Sequence, residues 1–378
     1  MRVLHVAPNL SRAYGGPTYS LAGYAAAAGD AGAQVTILAP RPPIADAAWM
    51  LTQVPQAALE LFASHGESAF VASPQLQAWL RKHGGAFDVI HVHGLLNSVS
   101  SLSARLCVRS GWPVVIRPFG TLSRYTLSHR RGMLKWLYFS MLDRPILRRV
   151  SAIHFTTTAE REESLGHGIV WGERAFVVPP PAGKSFSPPA RPARASANVL
   201  SLGRLNPVKR LELLLEAWPL VMERIPAACL TIAGNGDSAY AESLRKKGSP
   251  YGESVRFVGA VDDEGKRALY LDGDVFVLPS FHENFGIAVL EALGAGLPVV
   301  VTPEVQLASF VRENRLGLVT EGNVSALASG IILALEDQVL RARCRRDGER
   351  IVSESFSRPI VGEALMRMYR FALAHPPS

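Results

Sequence analysis

Along the first half of the chain, short runs of β-branched and other apolar residues alternate with longer stretches whose apolar positions recur at helical spacing. This is the pattern of a parallel sheet covered by helices. The runs at residues 3–7, 35–39, 89–93, 114–117, 152–156 and 176–178 predict six strands. The pattern then breaks at 179–197, where Pro, Ala, Ser and Arg dominate, the composition of a connection between domains. A second series at 199–203, 229–234, 255–259, 275–279 and 298–302 predicts a second doubly wound sheet. Residues 359–374 follow with apolar positions at helical spacing and can cross back to the first domain. The expected boundaries are 1–180 for the first domain, 181–197 for the linker, 198–358 for the second domain and 359–378 for the returning helix. Two parallel sheets that face one another place their strand C-terminal ends around a shared cleft.

A length of 378 residues agrees with two domains, since single cores stop growing near 250–300 residues. Apolar residues at 48% and charged residues at 19% describe a folded enzyme rather than a disordered chain. Cys107, Cys229 and Cys344 stand far apart with no CxxC pair, so neither a disulfide framework nor a thiolate zinc site is expected. The apolar run at residues 1–7 is too short for a signal peptide, and no stretch reaches the length of a membrane span. The expected setting is the cytoplasm, with peripheral contact at the inner face of the membrane. A net charge of +8 favours anionic partners. Nucleic acid is not expected among them, because the chain carries no helix-turn-helix, zinc-finger or aromatic RNA-binding signature.

Candidate chemistry concentrates in two places. Directly after the run at 275–279 comes Ser280-Phe281-His282-Glu283-Asn284-Phe285-Gly286, which opens into a helix bearing Glu291. Backbone N–H groups at Asn284, Phe285 and Gly286 are donors at a helix start, suited to hydroxyl or phosphate oxygens. Glu283 can accept from sugar hydroxyls, and Glu291, two turns further in, from both hydroxyls of a ribose. Either carboxylate alone would read as a helix-capping charge or a solvated residue. The pair, after a strand and before the small-residue run ending at Pro298, reads as a site.

The second place is Gly203-Arg204-Leu205-Asn206-Pro207-Val208-Lys209-Arg210, again a strand end, a polar loop and a helix. Transfer of a glycosyl group from a nucleotide diphosphate builds negative charge on the departing phosphate, and fixed cations there lower the barrier. Arg204 and Lys209 are the candidates.

The Gly-Arg-(x4)-Lys loop and the Glu-(x7)-Glu segment resemble those of the family 4 retaining glycosyltransferases. The similarity extends to Gly15-Gly16-Pro17, to Ala233-Gly234-Asn235-Gly236 and to Phe257-Val258-Gly259. It implies the GT-B fold, an α/β architecture of two Rossmann-like doubly wound domains facing a central cleft. It also implies a metal-independent transferase with no cofactor, which uses a nucleotide-sugar donor (UDP- or GDP-sugar) and a glycan or lipid-linked acceptor. On this resemblance Arg204 and Lys209 match the diphosphate-binding cations, Glu283 the carboxylate that holds the sugar, and Glu291 the ribose-binding carboxylate. Gly203, Gly234, Asn284, Phe285 and Gly286 fall among the donor-binding positions, and Gly15 and Gly16 match the loop of the first domain that approaches the donor phosphate. The setting implied is polysaccharide or cell-envelope glycan synthesis.

Phe119, in Arg117-Pro118-Phe119-Gly120-Thr121, stands where many relatives have a histidine, so no role is borrowed from that histidine. His91 and His93 share one face of a strand, but no third ligand is evident and no metal site is expected. Asp272-Gly273-Asp274 spells DxD yet precedes a strand, which reads as a turn or strand-entry feature. No GxGxxG follows the first strand, against a dehydrogenase. Between 123 and 149 seven basic residues stand against one acid, interleaved with Leu134, Trp136, Leu137, Tyr138, Phe139 and Leu142. That segment reads either as an ordinary domain helix with solvated cations or as a surface docking on anionic membrane. Two further readings use the same frame: a nucleotide-sugar epimerase, and an inactive nucleotide-sugar-binding partner protein.

Overall fold

The structure is a computed structural model that describes residues 1–65, 71–128, 132–183 and 197–377. Most of the expected linker, residues 184–196, lies outside the described residues. The chain divides into two compact units, one formed by Met1–Pro181 with Phe356–Ser378 and the other by Ala182–Ser355.

The first unit is built on seven strands: β1 (Arg2–Val6), β2 (Gln34–Pro40), β3 (Ala58–Phe62), β4 (Val89–His93), β5 (Val114–Arg117), β6 (Ala152–Phe155) and β7 (Ala175–Val177). They pair in parallel in the order β3-β2-β1-β4-β5-β6-β7. Alternate residues of each strand feed opposite cores. Val3, Ile37 and Val89 pack on one face with Tyr24, Leu365 and Met368, from the helices Gly16–Asp30 and Arg358–Ala374. Leu4, Val92 and Ile116 pack on the other with Val108 of the helix Ser98–Ser110.

The second unit carries six parallel strands: β8 (Ala197–Leu202), β9 (Ala228–Ala233), β10 (Val255–Gly259), β11 (Val275–Leu278), β12 (Val299–Val301) and β13 (Gly317–Val319), in the order β10-β9-β8-β11-β12-β13. The reading of two doubly wound sheets therefore holds. It missed β3 and β13, both edge strands that are only half-buried.

In each sheet the strand order reverses once, between β1 and β4 and between β8 and β11. Connections leave such a pair toward opposite faces of the sheet, so a crevice opens beyond the strand C-termini, where doubly wound proteins bind ligands. The loops after β8 and β11 hold the two motifs singled out by sequence. No helix among the described residues is long and apolar enough to cross a membrane.

Candidate active site

Lys209 is placed by a tight turn. Asn206 caps the short helix Pro207–Lys209, its side chain accepting from Val208 N at 3.1 Å, and Arg210 then adopts a left-handed conformation (φ 51°) and donates to Gly322 O at 2.6 Å. The turn is tied to the loop after β11 through Phe281 N, which donates to Val208 O at 2.8 Å. The second loop is fixed from its other side, where Glu283 N donates to Glu304 O and Gln306 N to Glu283 O, both at 3.2 Å. These anchors bring Lys209 Nζ and Glu283 Oε2 into a direct, largely buried ion pair. The sequence supplied both residues as candidates, but not their contact.

Arg204 occupies the same loop as Lys209. It is exposed and makes no hydrogen bond or ion pair among the described residues. The loop after β9 closes against this one: Leu205 N donates to Asn235 O at 2.8 Å, and a Cβ on Gly234 (φ 137°) would fall 1.9 Å from Gly203 O. Only glycine permits that approach.

Gly286, at φ 96°, turns the chain into the helix Ile287–Gly294. Asn284 Oδ1 and the hydroxyl of the buried Ser280 have no hydrogen-bond partner among the described residues. An unmet buried polar atom costs about 1–3 kcal/mol, which a ligand that supplies the partner recovers. Glu291 differs from the free acceptor that its helix position suggests. Lys266 Nζ donates to its Oε1 at 2.7 Å and the Tyr270 hydroxyl to its Oε2 at 2.9 Å. Burial first, and the Glu291 charge second, raise the Tyr270 pKa well above its ordinary value, so the phenol stays a donor. Sequence reasoning passed over both residues, although Lys266 and Tyr270 stand four apart on one helix and so share a face.

In the first unit, Gly15 (φ 79°) caps the helix that starts at Gly16 and carries Pro17 in its first turn. Phe119 also has positive φ (63°), and its ring lies 4.2 Å from the guanidinium carbon of the buried Arg117, which stacks on Tyr24 as well. The view that His91 and His93 lack a third neighbour needs correction. His5 on the neighbouring β1 and His154 on β6, one strand beyond β5, join them although linear spacing does not show it, and His5, His91 and His93 bring ring nitrogens within 4.8 Å of one another. The four rings are buried and linked: His5 Nδ1 lies 2.9 Å from His93 Nε2, and His154 Nδ1 3.2 Å from His91 Nε2. The Tyr369 hydroxyl donates to His91 Nδ1 (3.0 Å), and His154 Nε2 donates to Val178 O (2.7 Å). Burial keeps all four neutral and the charge of Arg117 adds to this; the same positive charge opposes a metal cation there. Asp274 of the DxD segment is a strand-entry clamp, accepting from Asn198 N at 3.0 Å and from Arg341 at 2.7 Å.

Two facing loops at the switch point of a parallel sheet, with a cation paired to one carboxylate and a second carboxylate preset two helical turns on, belong to a glycosyltransferase of GT-B fold. Residues 190–351 match the family described as glycosyl transferases group 1, and residues 15–181 the glycosyl transferase 4-like domain; the chain belongs to this family. It is 32% identical over 302 residues to a phosphatidyl-myo-inositol mannosyltransferase of Mycobacterium leprae, covering 79% of this chain and 77% of that one. It is also 32% identical over 173 residues to the lipopolysaccharide core biosynthesis glycosyltransferase LpsE of Rhizobium meliloti, 45% of this chain and 48% of that one. The crystal structure of Anabaena HepE in complex with UDP and glucose superimposes with a TM-score of 0.76 at 16% identity, over 98% of this chain and 99% of that one.

Proposed function

We propose that this glycosyltransferase moves a hexosyl group, with retention of configuration, from a UDP- or GDP-sugar to a lipid-linked or glycan acceptor in cell-envelope glycan synthesis. The observation that carries the reading is the Lys209–Glu283 pair on two loops at the β8/β11 switch point, with Glu291 oriented by Lys266 and Tyr270. The donor is assigned to the second unit. Glu291 accepts from the ribose hydroxyls, Glu283 and the backbone at Asn284, Phe285 and Gly286 hold the sugar, Gly203 leaves room for the diphosphate, and Gly234 lets the loop after β9 close beside it. Arg204 and Lys209 meet the charge that grows on the leaving phosphate, a task that a divalent metal performs in other transferases. Glu283 is engaged by Lys209, which suits a carboxylate that binds hydroxyls rather than one that attacks the anomeric carbon. The acceptor hydroxyl therefore enters on the face of the leaving group, and the diphosphate takes its proton.

The first unit is assigned the acceptor. A mannosyltransferase relative whose name specifies a phosphatidyl acceptor supports a lipid-borne substrate, reached peripherally from the cytoplasmic side through residues 123–149, of which 129–131 lie outside the described residues. Two measurements test the reading. A thermal-shift screen of UDP-, GDP- and ADP-sugars identifies the donor, because a ligand that binds only the folded state raises its melting temperature. Arg204→Ala and Lys209→Ala should each lower turnover by about 10²-fold or more. Undiminished turnover in both variants removes the mechanism, and donor conversion without any acceptor makes the chain an epimerase.

A further inference from the structure

We propose that Tyr369, His91 and His154 form an acid-sensitive latch, a directed hydrogen-bond wire that ends on Val178 and fastens to the first sheet both the segment by which the chain leaves the first unit and the helix by which it returns.

The wire spans the two passages. The chain leaves the first unit after Pro181 and re-enters it at Phe356. Just before the exit, Val178 O accepts from His154 Nε2 at 2.7 Å and from the Tyr24 hydroxyl at 2.9 Å. His154 Nδ1 lies 3.2 Å from His91 Nε2, and His91 Nδ1 lies 3.0 Å from the hydroxyl of Tyr369, on the returning helix Arg358–Ala374. The Tyr369 ring also meets the His91 ring edge-on, with centroids 5.7 Å apart, and all three side chains are buried. Pro179, Pro180 and Pro181 follow Val178 and carry no backbone N–H, so the exit segment cannot continue the sheet as a donor.

Chemistry fixes the direction of every bond. A carbonyl oxygen only accepts, so His154 carries its proton on Nε2. A neutral imidazole has one N–H, so His154 Nδ1 accepts and the proton of the next bond comes from His91 Nε2. His91 Nδ1 is then a lone pair, to which Tyr369 donates. No other arrangement of two neutral rings satisfies all three contacts.

A further proton has to enter at Nδ1 of one ring. On His154 it opposes the N–H of His91. On His91 it reverses the bond to Tyr369, whose own proton has no other acceptor among the described residues. The groups that face the wire are His5 of β1, His93 of β4, Arg117 of β5, Tyr24 of the helix Gly16–Asp30 and Glu160 of the helix Thr158–Ser164. Arg117 is positive, and the Glu160 carboxylate is engaged by Gly120 N at 2.5 Å and Thr156 N at 2.6 Å, so no carboxylate pairs with a charged ring. Burial above all keeps both rings neutral while the helix is docked. Undocked, a ring meets water and titrates near about 6.5. Opening therefore grows as pH falls below that value, roughly ten-fold between pH 7.5 and 5.5 for each ring that solvates.

Two measurements on the full chain test this. Histidine-selective ¹⁵N NMR at pH 7.5 should find His91 and His154 protonated at Nε2 alone, and a proton on Nδ1 of either ring overturns the wire. Hydrogen exchange, corrected for its intrinsic rate, should quicken in 358–374 by roughly ten-fold or more from pH 7.5 to 5.5, ahead of β2 and β3. Tyr369→Phe keeps the ring and removes the donor, so at pH 7.5 the same segment should exchange roughly ten-fold faster than in wild type. His91→Asn cannot titrate and should shrink the acid response by roughly ten-fold. An equal quickening of β2, β3 and the returning helix, unchanged exchange in Tyr369→Phe, or a full acid response in His91→Asn would each remove the latch. No readout involves a nucleotide sugar, so the result does not depend on the donor assignment.

Discussion

Glu291 and Tyr270 illustrate how much of the site depends on groups outside the recognisable motifs. A carboxylate two turns into a helix is free to rotate unless something holds it. Here the phenol holds one oxygen at 2.9 Å and Lys266 the other at 2.7 Å. Tyr270→Phe removes a hydrogen bond to a charged acceptor, worth about 1.5–3 kcal/mol. With Glu291 assigned to the ribose, the variant should bind the ribonucleotide roughly ten-fold more weakly and lose discrimination against the 2′-deoxy analogue. Titration of both nucleotides by calorimetry checks this, and an equal loss for the two would reduce Tyr270 to a packing residue. Lys209 and Glu283 were legible in the sequence because each follows a strand within a patterned loop. Tyr270 and Lys266 were not, because their meaning lies in a contact across 21 and 25 residues. His5 escaped for the same reason, since only the parallel pairing of β1 with β4 sets it beside His91.

At the scale of elements, central strands announced themselves and edge strands did not. β1, β4, β5 and β11 are buried along nearly their whole length, so apolar residues dominate them, interrupted only by Arg2 at the edge and the buried His5, His91, His93 and Arg117. β3 reads Ala-Leu-Glu-Leu-Phe with one face partly in solvent, and β13 has only three residues, Gly-Leu-Val. The loops after β8 and β9 add a constraint that pattern reading cannot weigh. Gly234→Ala would combine a positive φ with a Cβ 1.9 Å from a backbone carbonyl oxygen, and backbone cannot yield as a flexible side chain does. The expected cost exceeds about 1 kcal/mol in unfolding free energy, with weaker donor binding. Gly252→Ala serves as the control: it shares the positive φ (54°) but meets nothing within 4 Å. Denaturant melts that show equal losses for the two would mean that the close approach of the loops carries no weight.

For the molecule as a whole, the four buried histidines set an acid limit. Each has a folded pKa below its unfolded value of about 6.5, His5 as low as about 3, chiefly through burial. Their neutral forms belong to the fold, so the stability they allow is fully present above about pH 6.5 and is lost as pH falls below it. Each such group contributes a slope of up to about 1.4 kcal/mol per pH unit. Asp143, pushed up to about 6 by burial, and the buried Glu160, raised by the same cause, act in the opposite sense and offset part of this loss. Urea unfolding at pH 7.5 and 5.5 should show a loss of several kcal/mol at the lower pH, and coincident curves would mean that the cluster is already solvated or protonated in the fold.

The helix Arg358–Ala374 belongs to the first unit, while the whole second unit is encoded ahead of it. Leu365, Met368 and Tyr369 complete a core begun by Val3 and Tyr24, and the Tyr369 hydroxyl closes a bond with His91 of β4. Domains emerging from a ribosome generally mature in the order in which they are made. In this chain the order is inverted: the first unit must wait, unfinished, until the whole second unit has been made, and the second unit is free to settle before it.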